Sequence, residues 1–356
     1  MSVKMGHLVR YRVEIRLRSP LFIGSGTKLN RMEYVNEDGN IILPDTAAMF
    51  AYLLEHKHIG AFQQEIASGK RDLINVLHEI GAQGRYMPFR WPLRTIPVAR
   101  EYAQTKGNGM LQMHIATPDG RAYIPGSSIK GAIRTAMLAK MMHAGQHSSV
   151  LEALGQWSSQ PWELALRVLR VEKDKPDNAV NDLLRAIQVS DSAPFAEGST
   201  CIRRRRWVAE NGSVREVGLL CECVDPGATT HFYLTIDHSI WPERLGDPLA
   251  FISACLTDWQ NRLESEYNSS FVTVKPVQMS EGTVPIVLGA GTGFQQHTLV
   301  YARGGAEVRE HVHNFLTRKF ATYKPAAMSL RAPYCRKAVL VNGSLQPLGV
   351  CELKFT

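Results

Sequence analysis

Four short stretches of the chain combine glycine, hydroxyl and cationic residues in ways that suit an anion. The first is IPGSSIKGAIRTAML, residues 124–138. Pro125 and Gly126 make a turn, and Gly126 lets backbone approach a partner closely. Ser127 or Ser128 can cap the helix that follows. A helix start exposes free N–H groups and a partial positive charge, which suit a phosphate. Lys130 and Arg134 are four residues apart and share one face. Ile129, Ile133, Ala136, Met137 and Met141 form the opposing apolar stripe. Two readings stand at this stage: a cradle for a phosphodiester backbone, or an ordinary capped helix with two solvated cations.

The other three stretches read similarly. LGAGTGF (288–294) has Gly289, Gly291 and Gly293, a spacing of GxGxG rather than the GxGxxG of a dinucleotide fold, which argues against a nicotinamide enzyme. What remains is a loop approaching RNA or a neighbouring subunit, or a tight turn. FIGSGTK (22–28) is a smaller glycine loop with Gly24, Ser25, Gly26 and Lys28. In RRRRW (203–207), strand alternation puts Arg203 and Arg205 on one side and Arg204 and Arg206 on the other. One pair then faces RNA or an acidic neighbour, or the run is a solvated edge strand guarded by charge. Gly126 and Gly131 have GxxxxG spacing, but Ala132 and Ile133 stand where a nucleotide loop needs Lys and Ser/Thr.

Catalytic and metal patterns are weak. His56 and His58, His311 and His313, and His143 and His147 lack a CxxC or HExxH context and read as surface histidines. Asp45 and Asp191 each follow an expected strand, where an aspartate most often caps a turn or helix. The reading assigns no catalytic residue, no metal and no cofactor. Six cysteines without a CxxC pair read as buried thiols of a cytosolic chain. A net charge of +8 favours an anionic partner such as nucleic acid. No apolar run is long enough for a membrane span, and the first twenty residues lack a signal-peptide core, so the expected location is the cytoplasm, away from membranes.

The elements that must position these residues follow from periodicity. VRYRVEIRL (9–17) alternates strictly, a half-buried strand with a basic face of Arg10, Arg12, Arg16 and Arg18 around Glu14. A turn is expected at SPLFIGSGTK and a hairpin at EDGN (37–40), then a helix capped by Asp45. Residues 61–80 read as helix and 84–120 as a long irregular loop. Helices are expected over 127–143 and 150–170, and a strand over 183–192. Strands near 200–209, 213–224 and 230–237, a helix over 246–266, a strand at 284, a helix near 305–319 and two closing strands complete the chain. Each half mixes strands and helices roughly as β-α-β-β-α-β. The expected fold is α+β, with tandem ferredoxin-like domains over 1–192 and 193–356 and helical and loop insertions.

The ordered blocks GSGTKLNRMEYV (24–35), ILPDTAAMFAYL (42–53), IPGSSIKGAIRT (124–135), QVSDS (188–192) and LGAGTGF resemble the RAMP superfamily of CRISPR proteins. Within it, the chain is most similar to the fifth-subunit family of the type III-A (Csm) effector complex. The resemblance implies RRM-related folds and a place at the end of the backbone filament, near the 3′ part of the crRNA. There such a subunit caps the assembly and supports 3′-end maturation without cutting the target. It implies crRNA, the backbone and small subunits of the complex, and host ribonucleases as partners. On this reading Gly126, Ser127, Ser128, Lys130 and Arg134 hold RNA phosphates. Gly24, Ser25, Gly26, Lys28, Arg203, Arg205, Gly289, Gly291 and Gly293 join them. Two other roles stay open: a metal-independent endoribonuclease that processes crRNA precursors, and a RAMP subunit on the crRNA 5′ handle.

Overall fold

A computed structural model describes residues 2–69, 72–80, 92–99, 110–142, 150, 168–172, 179–303, 306–319 and 333–355. Most of the expected helix over 150–170, the TKGNG segment, and His143 and His147 lie outside the described residues.

The alternating N-terminal segment is β2 (Leu8–Leu17), edged by β1 (Ser2–Met5). Val13, Ile15 and Leu17 are fully buried, while Arg10, Arg12 and Arg16 point to the other side, as a period of two requires. Strands β8 (Ile187–Val189), β11 (Thr229–Asp237), β12 (Val284–Val287) and β15 (Val350–Phe355) complete the first sheet. Its order is β12-β15-β2-β11-β8, every pair antiparallel, with β1 also on β2. Helices α4 (Gly126–Met141) and α5 (Pro248–Glu266) cover one face of it. The apolar stripe of α4 behaves as expected: Ile129, Ile133, Ala136 and Met137 are buried beneath α5 and the sheet. Ile129, Ile133 and Met137 each contribute about 2 kcal/mol by leaving water. Asp247 caps α5 by accepting from the Ala250 N–H at 2.8 Å.

The second sheet runs β14-β13-β9-β10-β7-β3. Its strands are β3 (Gly24–Leu29), β7 (Met110–His114), β9 (Thr200–Ala209), β10 (Val214–Val224), β13 (Cys335–Val341) and β14 (Ser344–Gln346). Both large sheets therefore draw strands from either side of residue 192. A three-stranded sheet, β4 (Val35–Glu37), β5 (Asn40–Pro44) and β6 (Pro92–Pro97), carries α1 (Thr46–Glu55), α2 (Ile59–Ala67) and α3 (Leu73–Glu79). These pack a separate small core around Leu53, Phe62 and Val76. The last helix is α6 (Ala306–Lys319).

Several local expectations are corrected. SPLFIGSGTK is not simply a turn: Gly24–Leu29 is an exposed edge strand with a bulge between Gly24 and Lys28. Residues 61–80 hold two helices, separated near Gly69 (φ +88°), because a left-handed residue ends an α-helix. The expected loop over 84–120 contains β6 and β7, the latter parallel to β10. Within 183–192 only Ile187–Val189 is strand, preceded by a 3-10 turn at Leu183–Ala186.

Candidate nucleic-acid interface

The start of α4 is not capped by its own serines. Pro125 is the N-cap residue, and neither Ser127 nor Ser128 caps the helix. The cap comes from the QVSDS element: the Gly126 N–H donates to Asp191 Oδ1 at 2.7 Å. Two further bonds lock the same segments, from the Ile124 N–H to Ser192 Oγ and from the Ser192 N–H to the Ile124 carbonyl, each 2.9 Å. Gly126 is buried, and a Cβ there would stand 2.5 Å from the Val189 carbonyl oxygen and 2.7 Å from Ser190. The close approach that glycine permits is thus the chain to itself, helix start against the end of β8. The helix-start charge is met by an internal carboxylate.

The cations of this helix remain outside that clasp. Lys130 and Arg134 are partly exposed on the same side of α4. Partial burial pushes the Lys130 ammonium below its usual pKa, the nearby Asp182 carboxylate opposes this, and Arg134 adds to it. Ser127 is exposed beside them.

A second cluster gathers residues the sequence scatters over three hundred positions. The run of four arginines is β9, and its two faces separate as alternation demands. Arg204 and Arg206 both pair with Glu216, at 3.5 Å and 2.7 Å. Arg203 is buried, donating to Asp225 at 2.6 Å and to the Leu340 carbonyl at 3.0 Å. Arg205 instead donates to the neutral Gln112 side chain at 2.6 Å and lies 5.9 Å from the Phe22 ring. Lys337, which sequence reasoning missed, joins it from β13. Its ammonium is pushed below the usual value by burial and further by Arg205.

The glycine loop 289–293 closes over this cluster. The Ala290 N–H donates to the Phe22 carbonyl at 2.7 Å, and Gly289 (φ +83°) sits so close to that carbonyl that a Cβ has no space. Gly291 lies against Leu348, with Arg205 beyond it, and Gly293 lies against the Gln295 side chain. His297 Nε2 is 2.8 Å from Thr292 Oγ1 and 3.1 Å from the Gly289 carbonyl oxygen. The segment 22–28 meets the same region through Phe22, while Ser25 turns inward to donate to the Met113 carbonyl at 3.2 Å. Gly26 (φ +91°) and Lys28 stay exposed on the edge strand. No sequence signal marks Lys337, because its neighbourhood exists only through the pairing of β13 with β9.

Burial removes two further polar groups, Glu222 and His114, from the surface. Glu222 is fully buried against Arg94 and accepts from the His114 N–H at 3.2 Å. His114 is buried too, and its Nε2 has no partner, so burial holds its pKa below the ordinary value. Among the described residues no His, Cys, Asp and Glu group has the arrangement of a metal site.

This α+β chain belongs to the RAMP superfamily, whose pattern matches residues 14–275. Its curated relatives carry a more particular name. "CRISPR system Cms protein Csm5" of Mycobacterium tuberculosis is 25% identical, with 98% of each chain covered. The protein of the same name from Streptococcus thermophilus is 22% identical, over 85% of this chain and 83% of that one. Among solved structures, a chain of a cryo-EM Csm–crRNA–target RNA ternary complex of a type III-A CRISPR-Cas system matches with TM-score 0.67 and 19% identity, covering 97% of this chain and all of that one. The crystal structure of T. onnurineus Csm5 matches with TM-score 0.59 and 17% identity, over 95% and 99% of the two chains.

Proposed function

We propose that this chain is the RNA-binding end subunit of a type III-A CRISPR effector complex. It caps the backbone filament near the 3′ end of the crRNA, supports 3′-end maturation and assembly, and acts in the cytoplasm without cutting RNA itself. The observation that carries this reading is the end-to-end correspondence with proteins named Csm5, 98% of both chains for the mycobacterial relative. The fold supports it. Sheet order β15-β2-β11-β8, with α4 between β2 and β8 and α5 between β11 and β15, supports a ferredoxin-like unit with a βαββαβ plan, and on this reading the second large sheet belongs to its tandem partner.

Within this reading, RNA phosphates contact the exposed Lys28, the partly exposed Lys130 and Arg134, and the Arg205–Lys337 cluster beside the glycine loop. Such contacts position RNA and carry no sequence information, so specificity comes from base pairing in the guide. The test is to purify the complex from cells with and without this chain and to sequence the bound RNA. Guide RNAs that co-purify with the tagged chain, and whose 3′ ends stay long in its absence, support the proposal. Absence of guide RNA from the purified chain and its partners overturns it. Cleavage of repeat RNA by the purified chain would assign the processing role instead, and crosslinks to the 5′ handle would move the chain to the other end.

A further inference from the structure

The first large sheet has two unlike faces. One lies under α4 and α5 and buries Val13, Ile15, Leu17, Phe232, Leu234 and Ile236. The other carries the even residues of β2 and the odd residues of β11. Pairing places Tyr233 opposite Arg12, Thr235 opposite Arg10, His231 opposite Glu14 and Thr229 opposite Arg16. Arg10, Arg12 and Arg16 are exposed, and Tyr233 keeps 36% of its surface accessible although it sits on an interior strand between β2 and β8. An aromatic ring left open in mid-sheet among cations is unusual, since burial of a tyrosine is normally favourable.

The ring is held ready. The Arg10 guanidinium lies 4.7 Å from its centroid, and His231 meets it edge-on at 5.9 Å. Glu14 is opposite Lys354 and Arg16 opposite Glu352 of β15, and Asp237 lies beside His7, so the cations Arg10, Arg12, Arg16 and Lys354 outnumber the carboxylates Glu14, Glu352 and Asp237. We infer that this face is a stacking platform for single-stranded RNA, with Tyr233 under a base and Arg10, Arg12 and Arg16 on the phosphates. The inference rests on the RNA-binding reading above and names a surface for it. An exposed cation–π contact is weaker than a base stacked on an aromatic ring. A base therefore displaces the Arg10 guanidinium, which is then free to turn to a phosphate. A single strand fits because its bases are unstacked and its backbone brings negative charge to a basic face.

The test uses the full-length chain with short fluorescent oligo(U) and oligo(A) RNAs, read by anisotropy over a salt series. Tyr233→Ala weakens binding by roughly 5- to 100-fold with an unchanged salt slope, because a stack and no phosphate contact is lost. Tyr233→Phe keeps the ring and binds within about twofold of the parent chain. Arg10→Gln and Arg16→Gln each lower the slope of log K against log salt by about 0.7. Independently of any variant, 4-thiouridine RNA crosslinks to peptides of β2 and β11 in the parent chain. If the parent binds RNA while Tyr233→Ala binds equally well, and crosslinks map elsewhere, the platform is wrong and the RNA-binding reading stands. If the parent binds neither RNA, alone or in its complex, both fall. Should Tyr233→Ala fail to fold, the crosslink map decides alone.

Discussion

The start of α4 and the open face of the first sheet belong to the same sheet-and-helix layer and teach opposite lessons. The helix start has the conspicuous motif, with glycine, two serines and two cations in ten residues, yet its first N–H is bound to Asp191 and its glycine is filled by the backbone of β8. The sheet face has no motif, yet it leaves an aromatic ring and three guanidinium groups exposed. A glycine in such a motif signals close approach, and only the fold says to what. The glycine loop repeats the point: Gly289 admits the carbonyl of Phe22, a residue of the same chain.

The largest effect should come from testing that internal role. Gly126→Ala and Gly289→Ala each place a Cβ against backbone oxygen that cannot yield, so each should destabilise the chain by about 3 kcal/mol or prevent folding. Denaturant midpoints check this. Parent-like stability with reduced RNA affinity would instead return these glycines to a ligand.

Acid should act next. The buried His114 titrates below the ordinary value, while the unfolded chain takes up its proton near pH 6.5. Stability from this residue is therefore full above about pH 6.5 and declines as pH falls, by at most about 1.4 kcal/mol per pH unit until the folded group protonates. Urea titrations at three pH values in the parent and in His114→Asn measure the difference, and the variant should lose that part of the slope.

A sharper division follows from salt. Lys130→Ala with Arg134→Ala should lower the salt slope of RNA binding by about 1.4, two phosphates' worth, equally for unrelated sequences. An unchanged slope would leave α4 a purely structural element and sharpen the contrast with the sheet. The smallest effect is expected from Asp191→Asn, which keeps an acceptor for the Gly126 N–H but removes its charge. Stability should fall by about 0.5–1 kcal/mol with RNA affinity unchanged. Tighter RNA binding in this variant would mean that the carboxylate was competing with a phosphate.

Much of this was legible in the residues. Alternation in VRYRVEIRL told which side chains of β2 are buried, and the apolar stripe of IKGAIRTAML told which face of α4 packs, because both periods are properties of the local backbone. Asp45 was readable as a cap for the same reason, accepting from Ala48 three residues on at 3.0 Å. The two helices within 61–80 were not, since a single glycine at Gly69 decides the break and glycines are also tolerated inside helices. Of the candidate site, the arginine run and the glycine loop were visible, whereas Lys337 and Tyr233 were not, because neither has a distinctive neighbour along the chain.

What the sequence determined by itself is the strongly periodic elements, their buried faces and the basic character of β2. What tertiary structure alone decided is which elements meet: Asp191 with Gly126, Phe22 with the glycine loop, Arg10 with Tyr233. The physical reason is range. Periodicity and capping act within a few residues. Strand pairing, by contrast, joins residues more than two hundred positions apart through backbone hydrogen bonds common to every residue type, so the partner is chosen by the packing of the whole chain.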